Sequence, residues 1–355
     1  MSVASETLSH LLARILNQLS LSAWLPSAAL VFLVGLTLEL GAAVDGDDDL
    51  GAALTTTLAR LGDITLAGLV LLVLVVVVST MLTQAFAFGA IRVLEGYWGP
   101  SRVAEGLANL RADRHRRKRK SLAARYQKMA EQGHDALLDD IKREERELAD
   151  AGESPRFTEA MFQLLAEQVV GHSLPDDFEI SDPDRALVEA LDWRVAGSDD
   201  IERRELNLRR RLADYPQQSS HVLPTRLGNI LRRREDDTGR QEVEGFVEAV
   251  FDDLPFGLQL THDEQRTRLD LYCSMVFVIA ISTVAAVVRF GIEHWRYQVG
   301  ALALGLATSW VVYFAALSSA RHYGSVLIAI AAHIDGTVAP RKSLLDRARD
   351  RLALR

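Results

Sequence analysis

The sequence predicts an all-α integral membrane protein in which two transmembrane helical hairpins flank a helical cytoplasmic insert. Four long apolar stretches lie near the two ends of the 355-residue chain, and the middle is rich in Arg, Asp and Glu. Charged side chains are costly in hydrocarbon, so this separation assigns the ends of the chain to the bilayer and the middle to water. Basic residues are also distributed unequally among the connections, which predicts an orientation.

Four stretches are long and apolar enough to cross a membrane, because a helix needs about 20 residues to span about 30 Å. They run from Ala23 to Val44, from Ile64 to Gly89, from Leu271 to Val288 and from Val299 to Ser318. The first hairpin therefore occupies 23–99 and the second 271–333. A cleaved signal peptide is the alternative for the first stretch, because small residues follow its apolar run. The long preceding region contains only one basic residue, Arg14, which favours a span.

The basic residues predict that both termini and the middle of the chain face the cytoplasm. The connection between the first two spans contains one basic residue, Arg60, and the connection between the last two contains Arg289 and Arg296. The segments after the second and fourth spans are much richer in Arg and Lys. We therefore expect a bacterial inner-membrane protein with only two short loops outside.

Both ends of the chain are predicted to lie at the cytoplasmic surface. An amphipathic segment over 1–22 has apolar residues at helical spacing, namely Leu8, Leu11, Leu12, Ile15 and Leu19. This stripe suits either the inner membrane surface or the cytoplasmic insert, and the sequence does not decide between them. The C-terminal tail over 334–355 is basic.

The insert over 100–270 is predicted to be helical, because no segment alternates with a period of two over a strand's length. Its first part has a thin apolar stripe, typical of a long helix or a helical hairpin with a break at Gly133. Ser154 and Pro155 predict the start of the next helix, since a capping hydroxyl precedes a residue without an N–H. Thr225 is the predicted N-cap of a later helix.

The densest local charge is a basic run soon after the second span. It consists of Arg114, Arg116, Arg117, Lys118, Arg119 and Lys120. Each basic side chain near an anionic bilayer contributes about 1 kcal/mol, so the run is a candidate site for lipid headgroups. The orientation of the spans alone also explains it. The net charge of −8 argues against a dedicated nucleic-acid binder.

Motifs for catalysis, cofactors and metals are missing from the sequence. It contains no GxxxxGK[ST], HExxH, GxSxG or glycine-rich dinucleotide turn. One Cys and nine scattered His do not form a zinc motif. The acidic run from Asp176 to Asp184 lacks the glycine and final glutamate of a calcium loop. We therefore expect no enzymatic activity, cofactor or metal.

Three stretches outside the apolar segments resemble motifs of a family of uncharacterised bacterial four-span membrane proteins. They are Leu94-Glu95-Gly96-Tyr97-Trp98, Leu223-Pro224-Thr225-Arg226-Leu227-Gly228-Asn229 and Tyr323-Gly324. The resemblance implies the architecture and no known activity. Members of that family continue the second motif with an acidic residue, a Tyr-Gly pair and a Trp-Pro pair. This chain retains the acidic residue as Glu235 and lacks both pairs, having Arg240-Gln241 and Leu254-Pro255 instead.

These motifs also have a physical interpretation. Tyr97 and Trp98 lie at the predicted inner interface, where amphipathic rings anchor a helix end. Glu95 is placed to pair with an Arg of the insert, for which Arg226 is the candidate. We expect Thr225 and the residues after it to dock the insert against the inner ends of the hairpins.

The expected function is a non-catalytic scaffold, sensor or recruitment site that holds a cytoplasmic helical module at the membrane. Its expected partners are anionic lipid headgroups, an unidentified protein and, as a homo-oligomer, further copies of the chain. A small oligomeric channel or transporter subunit is the alternative. The spans contain no paired carboxylates or broken helices that would mark an ion path.

Overall fold

The computed structural model describes residues 21–45, 50–62, 65–170, 180–191, 199–240, 243–292 and 294–338. Within these residues the chain is helical and contains no strand, which confirms the all-α class. Nearly all of the predicted amphipathic segment over 1–22 and most of the basic tail over 334–355 lie outside the described residues.

Eleven α-helices occur in the described part of the chain. The first five are α1 (Leu21–Asp45), α2 (Leu50–Gly62), α3 (Leu66–Glu95), α4 (Arg102–Asp150) and α5 (Glu159–Val170). The next four are α6 (Asp182–Ala190), α7 (Asp199–Leu212), α8 (Arg226–Thr238) and α9 (Val243–Val250). The last two are α10 (Phe256–Phe290) and α11 (Trp295–Val338).

Four of these helices are long and apolar enough to cross a membrane, as the sequence predicts. The candidate spans are Trp24–Ala42 in α1, Leu66–Phe86 in α3, and stretches within α10 and α11. No residue is buried in the most apolar window of the α3 span, so this surface is available to lipid. The helices α10 and α11 are longer than the predicted spans, because α10 includes the charged stretch before Leu271 and α11 continues past Arg321 to Val338.

Small residues allow the apolar helices to approach one another closely. The Ser27 and Thr83 hydroxyls of α1 and α3 lie 2.5 Å apart. A Cβ on Gly41 of α1 would lie 2.6 Å from the Arg289 side chain of α10. Gly305 of α11 similarly meets the Thr283 side chain of α10. Interhelical hydroxyl bonds and small residues are the usual contacts between helices in lipid.

The chain forms two compact units. The first comprises the described residues up to Ala112 and those within Leu223–His333, so it contains all four apolar helices except the last five residues of α11. The second comprises the described residues within Asp113–Val222 and residues 334–338. The predicted insert over 100–270 is thus divided between the units, because α8, α9 and the start of α10 belong with the apolar helices.

The second unit has a hydrophobic core of its own. Leu137 and Ile141 of α4 pack with Met161 and Leu165 of α5 and with Val188 of α6. Of the two alternatives for this part of the sequence, the long helix is confirmed and the hairpin with a break at Gly133 is wrong, because α4 continues through Gly133 to Asp150.

The predicted helix start at Ser154 and Pro155 is also wrong. α5 begins at Glu159, and the Met161 N–H donates to the Thr158 hydroxyl at 3.3 Å. Glu145 instead accepts bonds from the Arg156 and Phe157 N–H groups, which holds the connection outside the helix. The start of α5 therefore depends on the carboxylate of Glu145 in the preceding helix.

Candidate functional site at the ends of α3 and α8

The helix α3 ends in a glycine cap. Gly96 adopts a left-handed conformation with φ of 109°, which a residue with a Cβ rarely adopts. Its N–H donates to the Arg92 and Val93 carbonyls, and the Trp98 indole N–H donates to the Val93 carbonyl at 2.9 Å. The LEGYW stretch thus satisfies carbonyl groups that a helix end leaves without partners.

The helix α8 begins with two side-chain caps. The Thr225 hydroxyl accepts a bond from the Gly228 N–H at 3.1 Å, as the sequence predicts. The buried Asn229 side chain accepts from the Leu223 N–H and donates to the Leu223 carbonyl, both at 2.8 Å. Asn229 also donates to the Thr225 carbonyl at 2.6 Å. A single amide therefore fixes the chain as it enters α8.

The start of α8 packs directly on the end of α3. A Cβ on Gly228 would lie 1.9 Å from the Glu95 carbonyl oxygen. A Cβ on Gly96 would lie 2.6 Å from the Pro224 ring. The two stretches singled out in the sequence therefore meet backbone to backbone, and only glycine fits at these positions.

The helix α11 completes this junction. The Tyr313 hydroxyl is hydrogen-bonded by the backbone of Arg226 and Leu227, in the first turn of α8, where N–H groups have no helical partner. The Arg226 guanidinium lies 5.8 Å from the centre of the Phe314 ring. The third sequence motif also participates, because Gly324 leaves space for the Arg234 side chain of α8.

A cavity of about 250 Å³ lies beside this junction. It is lined by residues of α3, α8, α9, α10 and α11 and by Tyr97. Its polar side chains are Arg92, Glu95, Tyr97, Glu235, Glu244, Arg266, Asp270 and Tyr323. All three sequence motifs contribute to this cavity or to the contacts that enclose it.

Arg266 is the central cation of the cavity. Its guanidinium lies 2.7 Å from Glu244, donates to the Tyr323 hydroxyl at 3.1 Å and lies 3.8 Å from Asp270. The Tyr323 hydroxyl also lies 3.4 Å from His262 Nε2. Arg266 thus connects α9, α10 and α11 through charge-assisted bonds.

Arg232 and Arg233, in the middle of α8, form ion pairs with acidic residues of the same helix. Arg232 lies 3.0 Å from Glu235 and 3.4 Å from Asp236. Arg233 lies 3.0 Å from Asp237. These arginines are about three-quarters buried, and their i,i+3 and i,i+4 partners offset the loss of hydration.

Glu95 is an unusually weak acid at this site. Burial, and to a smaller extent the neighbouring carboxylates of Glu244 and Glu235, raise the pKa of its carboxyl group to about 7. Arg92 and Arg266 oppose this shift. Burial also raises the pKa of Glu235, against the effect of Arg232. The charge of the cavity therefore changes near neutral pH. A carboxyl group that titrates there is suited to making the contact between α3 and the other helices of the cavity depend on pH.

The predicted basic run of α4 divides into two groups. Arg116 and Arg119 bind the backbone of the 217–219 turn, with Arg116 Nε donating to the Ser219 carbonyl at 3.1 Å and Arg119 donating to the Gln217 carbonyl. The exposed members are Arg114, Arg117, Lys118 and Lys120. Two of the six predicted residues therefore stabilise the second unit, and the other four have exposed side chains.

Four polar residues of the cavity were not predicted from the sequence, namely Arg92, Glu244, Arg266 and Asp270. The available signal was the i,i+4 spacing of Arg266 and Asp270 immediately before an apolar stretch, since charges there mark a helix entering a membrane. The predicted pair between Glu95 and Arg226 stays a prediction, while Arg92 and Arg266 act electrostatically on Glu95.

Among the residues that the structure describes, no three His, Cys, Asp or Glu side chains are placed to hold a metal ion. Comparison with protein-family models, with curated proteins and with solved structures finds no match. The family resemblance of the three motifs stays a prediction, and what the structure adds is their proximity in space.

Proposed function

We propose that this protein is a non-catalytic membrane anchor for a cytoplasmic helical module, with a scaffold, sensor or recruitment role. The four apolar helices cross the bacterial inner membrane as two hairpins, and the second unit is the cytoplasmic module. Two features support this proposal. The apolar surface of α3 is exposed along its span, and the basic residues concentrate on the segments assigned to the cytoplasm.

The junction between α3 and α8 is the observation that carries the proposal. Gly228 lies against the Glu95 carbonyl and Gly96 against Pro224, so the chain returning from the module is fixed to the end of a candidate span. Backbone contacts of this kind leave little freedom for sliding. The junction therefore supports an anchoring role, because it fixes the point at which the chain that follows the second unit rejoins the candidate spans.

The second unit also presents apolar side chains suited to a protein partner. Leu187 of α6 is 46% exposed and Leu206 of α7 is 42% exposed, and both lie on helices rich in charged residues. Exposed apolar residues surrounded by charge are common in protein-binding surfaces. We infer that a cytoplasmic protein binds the module through one or both of these helices.

Photo-crosslinking in intact cells tests this function with the full-length protein. A crosslinking amino acid at Leu187 or Leu206 should capture a defined cytoplasmic protein. L187E or L206E, introduced with the crosslinker at the other position, should lower that yield at least about tenfold through loss of apolar contact. The matched control is Q163E, an added charge at an exposed position of the same unit.

Selective ion conductance by the purified protein in liposomes would show that it is a channel, as would ion-coupled uptake for a transporter. Equal crosslinking by L187E, L206E and Q163E would remove the recruitment role.

A further inference from the structure

The first turns of α4 expose a face that changes from apolar to basic along the helix. Val103, Leu107 and Leu110 are 74%, 52% and 64% exposed. These three residues lie on one side of α4, because an α-helix turns about 100° per residue. The next residues on the same side are basic and exposed, namely Arg114, Arg117 and Lys118.

The side of the same turns that faces the rest of the protein contains small residues. Ala104 and Ala108 are partly buried, and Ala112 is buried. Farther along, His115 Nδ1 lies 3.2 Å from the Tyr215 hydroxyl, and Arg119 donates to the Ser219 hydroxyl. The exposed apolar side chains therefore belong to a face turned away from the protein.

This face begins a few residues beyond the end of α3. Tyr97 is 47% exposed, and the Arg92 guanidinium lies 5.0 Å from the centre of its ring, so the helix end has both an aromatic and a basic anchor. Six residues therefore connect the end of α3, which has an exposed apolar surface, to the exposed apolar residues of α4. The basic part extends to Lys118, about 22 Å from Val103 along the helix.

We propose that this face of α4 rests on the cytoplasmic surface of the bilayer. Its apolar residues contact the boundary between headgroups and acyl chains, and its basic residues bind anionic headgroups. The inference rests on the proposed function, in which α3 crosses the bilayer and ends at the cytoplasmic side. Apolar side chains followed by cations match the depth profile of an anionic membrane, and continuity with α3 favours lipid over a second copy of the chain.

Spin labels on the full-length protein in nanodiscs test the location of this face. Single cysteines at Leu107 and at Asn109 are compared after replacement of the buried Cys273 by Ala. Both positions are exposed on the same two turns, but they lie on opposite sides of the helix. In nanodiscs with anionic lipid, oxygen should relax the label at position 107 more than a water-soluble nickel chelate does, and the order should reverse at position 109.

A third label at Val77, in the middle of the α3 span, separates the two proposals. If nickel reaches position 77, the membrane placement itself fails. If position 77 is in hydrocarbon but positions 107 and 109 are equally wet, the surface contact of α4 is overturned while the anchor proposal survives. Shielding of position 107 from both reagents, together with spin–spin broadening, would assign the face to a second copy and also overturn the inference.

Two triple variants test the role of the basic residues. R114Q/R117Q/K118Q removes the three cations of the face, and K128Q/K142Q/R146Q removes three exposed cations at least about 15 Å farther along α4. The equilibrium constant for surface contact, taken from the two spectral populations of the label at 107, should fall roughly fivefold per cation removed from the face. The distal variant should leave it unchanged. Equal effects of the two variants, or no effect in anionic nanodiscs, would overturn headgroup binding.

Discussion

The carbonyl oxygen of Glu95 and the α-carbon of Gly228 are in direct contact, at the point where α8 meets the end of α3. A methyl group on Gly228 would lie 1.9 Å from that oxygen, and neither group is the movable end of a side chain. Two backbone segments more than 130 positions apart can therefore approach each other this closely only because residue 228 has no Cβ. This contact fixes the geometry of the cavity that contains Glu95.

Replacing Gly228 by Ala should destabilise the protein by about 3 kcal/mol, because the new methyl group must displace one of the two backbones. Thermal unfolding in detergent, followed by tryptophan fluorescence, measures this change. The matched control is G245A in α9, where a Cβ would meet nothing within 4 Å. The control should be neutral or slightly stabilising, because Ala favours a helix over Gly. Equal melting temperatures for the two variants would contradict the close contact.

Replacing Asn229 by Ala should lower stability by about 3 kcal/mol. The substitution leaves the Leu223 N–H and the Leu223 and Thr225 carbonyls without the bonds that the buried amide provides. N207A, at an exposed position of α7, is the control and should change stability by less than about 0.5 kcal/mol. The same unfolding measurement tests both variants, and an unaltered melting temperature for N229A would show that Asn229 does not hold this junction.

The stability of the protein should fall as pH rises from about 5 to about 7.5. The pKa of Glu95 is raised from 4.5 to about 7 in the folded protein, so the folded state binds this proton more tightly than the unfolded chain does. The corresponding stabilisation is complete below pH 4.5 and is lost as pH rises through about 7. Partial exposure of the group limits the change to about 2 kcal/mol.

E95Q tests the assignment of this pH dependence to Glu95. The variant should melt at a higher temperature than the wild type above pH 7.5, with a flatter profile between pH 5 and 7.5, because the amide cannot ionise. E105Q, at an exposed position of α4, should retain the wild-type profile. A profile that keeps its slope in E95Q would place the titration on another group of the cavity.

Two arginines of α10 allow a direct comparison of a partly exposed network of ion pairs with a single exposed ion pair. Arg266 contacts Glu244, Asp270 and Tyr323, whereas Arg268 pairs with Glu264 at the surface. R266Q should cost about 1.5 kcal/mol, because it removes the bond to the Tyr323 hydroxyl and the cation shared by two partly exposed carboxylates. R268Q should cost less than about 0.5 kcal/mol. Similar melting temperatures for these two variants would show that the cavity is solvated enough to screen its charges.

The sequence predicted the features that depend on local pattern. Continuous apolar residues predicted four helices long enough for a membrane, and the hydroxyl of Thr225 predicted the start of α8. These signals are local, because a span must be apolar along its whole length and an N-cap acts within three residues.

The features that the sequence did not predict depend on distant residues. Glu145 accepts bonds from the Arg156 and Phe157 N–H groups, which leaves the Ser154 signal unused. Arg266 belongs to the site because α9 and α11 bring Glu244 and Tyr323 to it. No local pattern in α10 indicates those partners, and a contact of this kind is found only in the folded chain.

The placement of the second unit in the cytoplasm is the central claim, and cysteine accessibility in intact cells tests it most directly. With Cys273 replaced, single cysteines are placed at exposed positions in the two external loop regions, Thr55 and Ile292, and in the second unit, Lys128 and Arg210. A membrane-impermeant maleimide should label positions 55 and 292 in intact cells and positions 128 and 210 only after the membrane is permeabilised. Labelling of position 128 or 210 from outside intact cells would contradict the account.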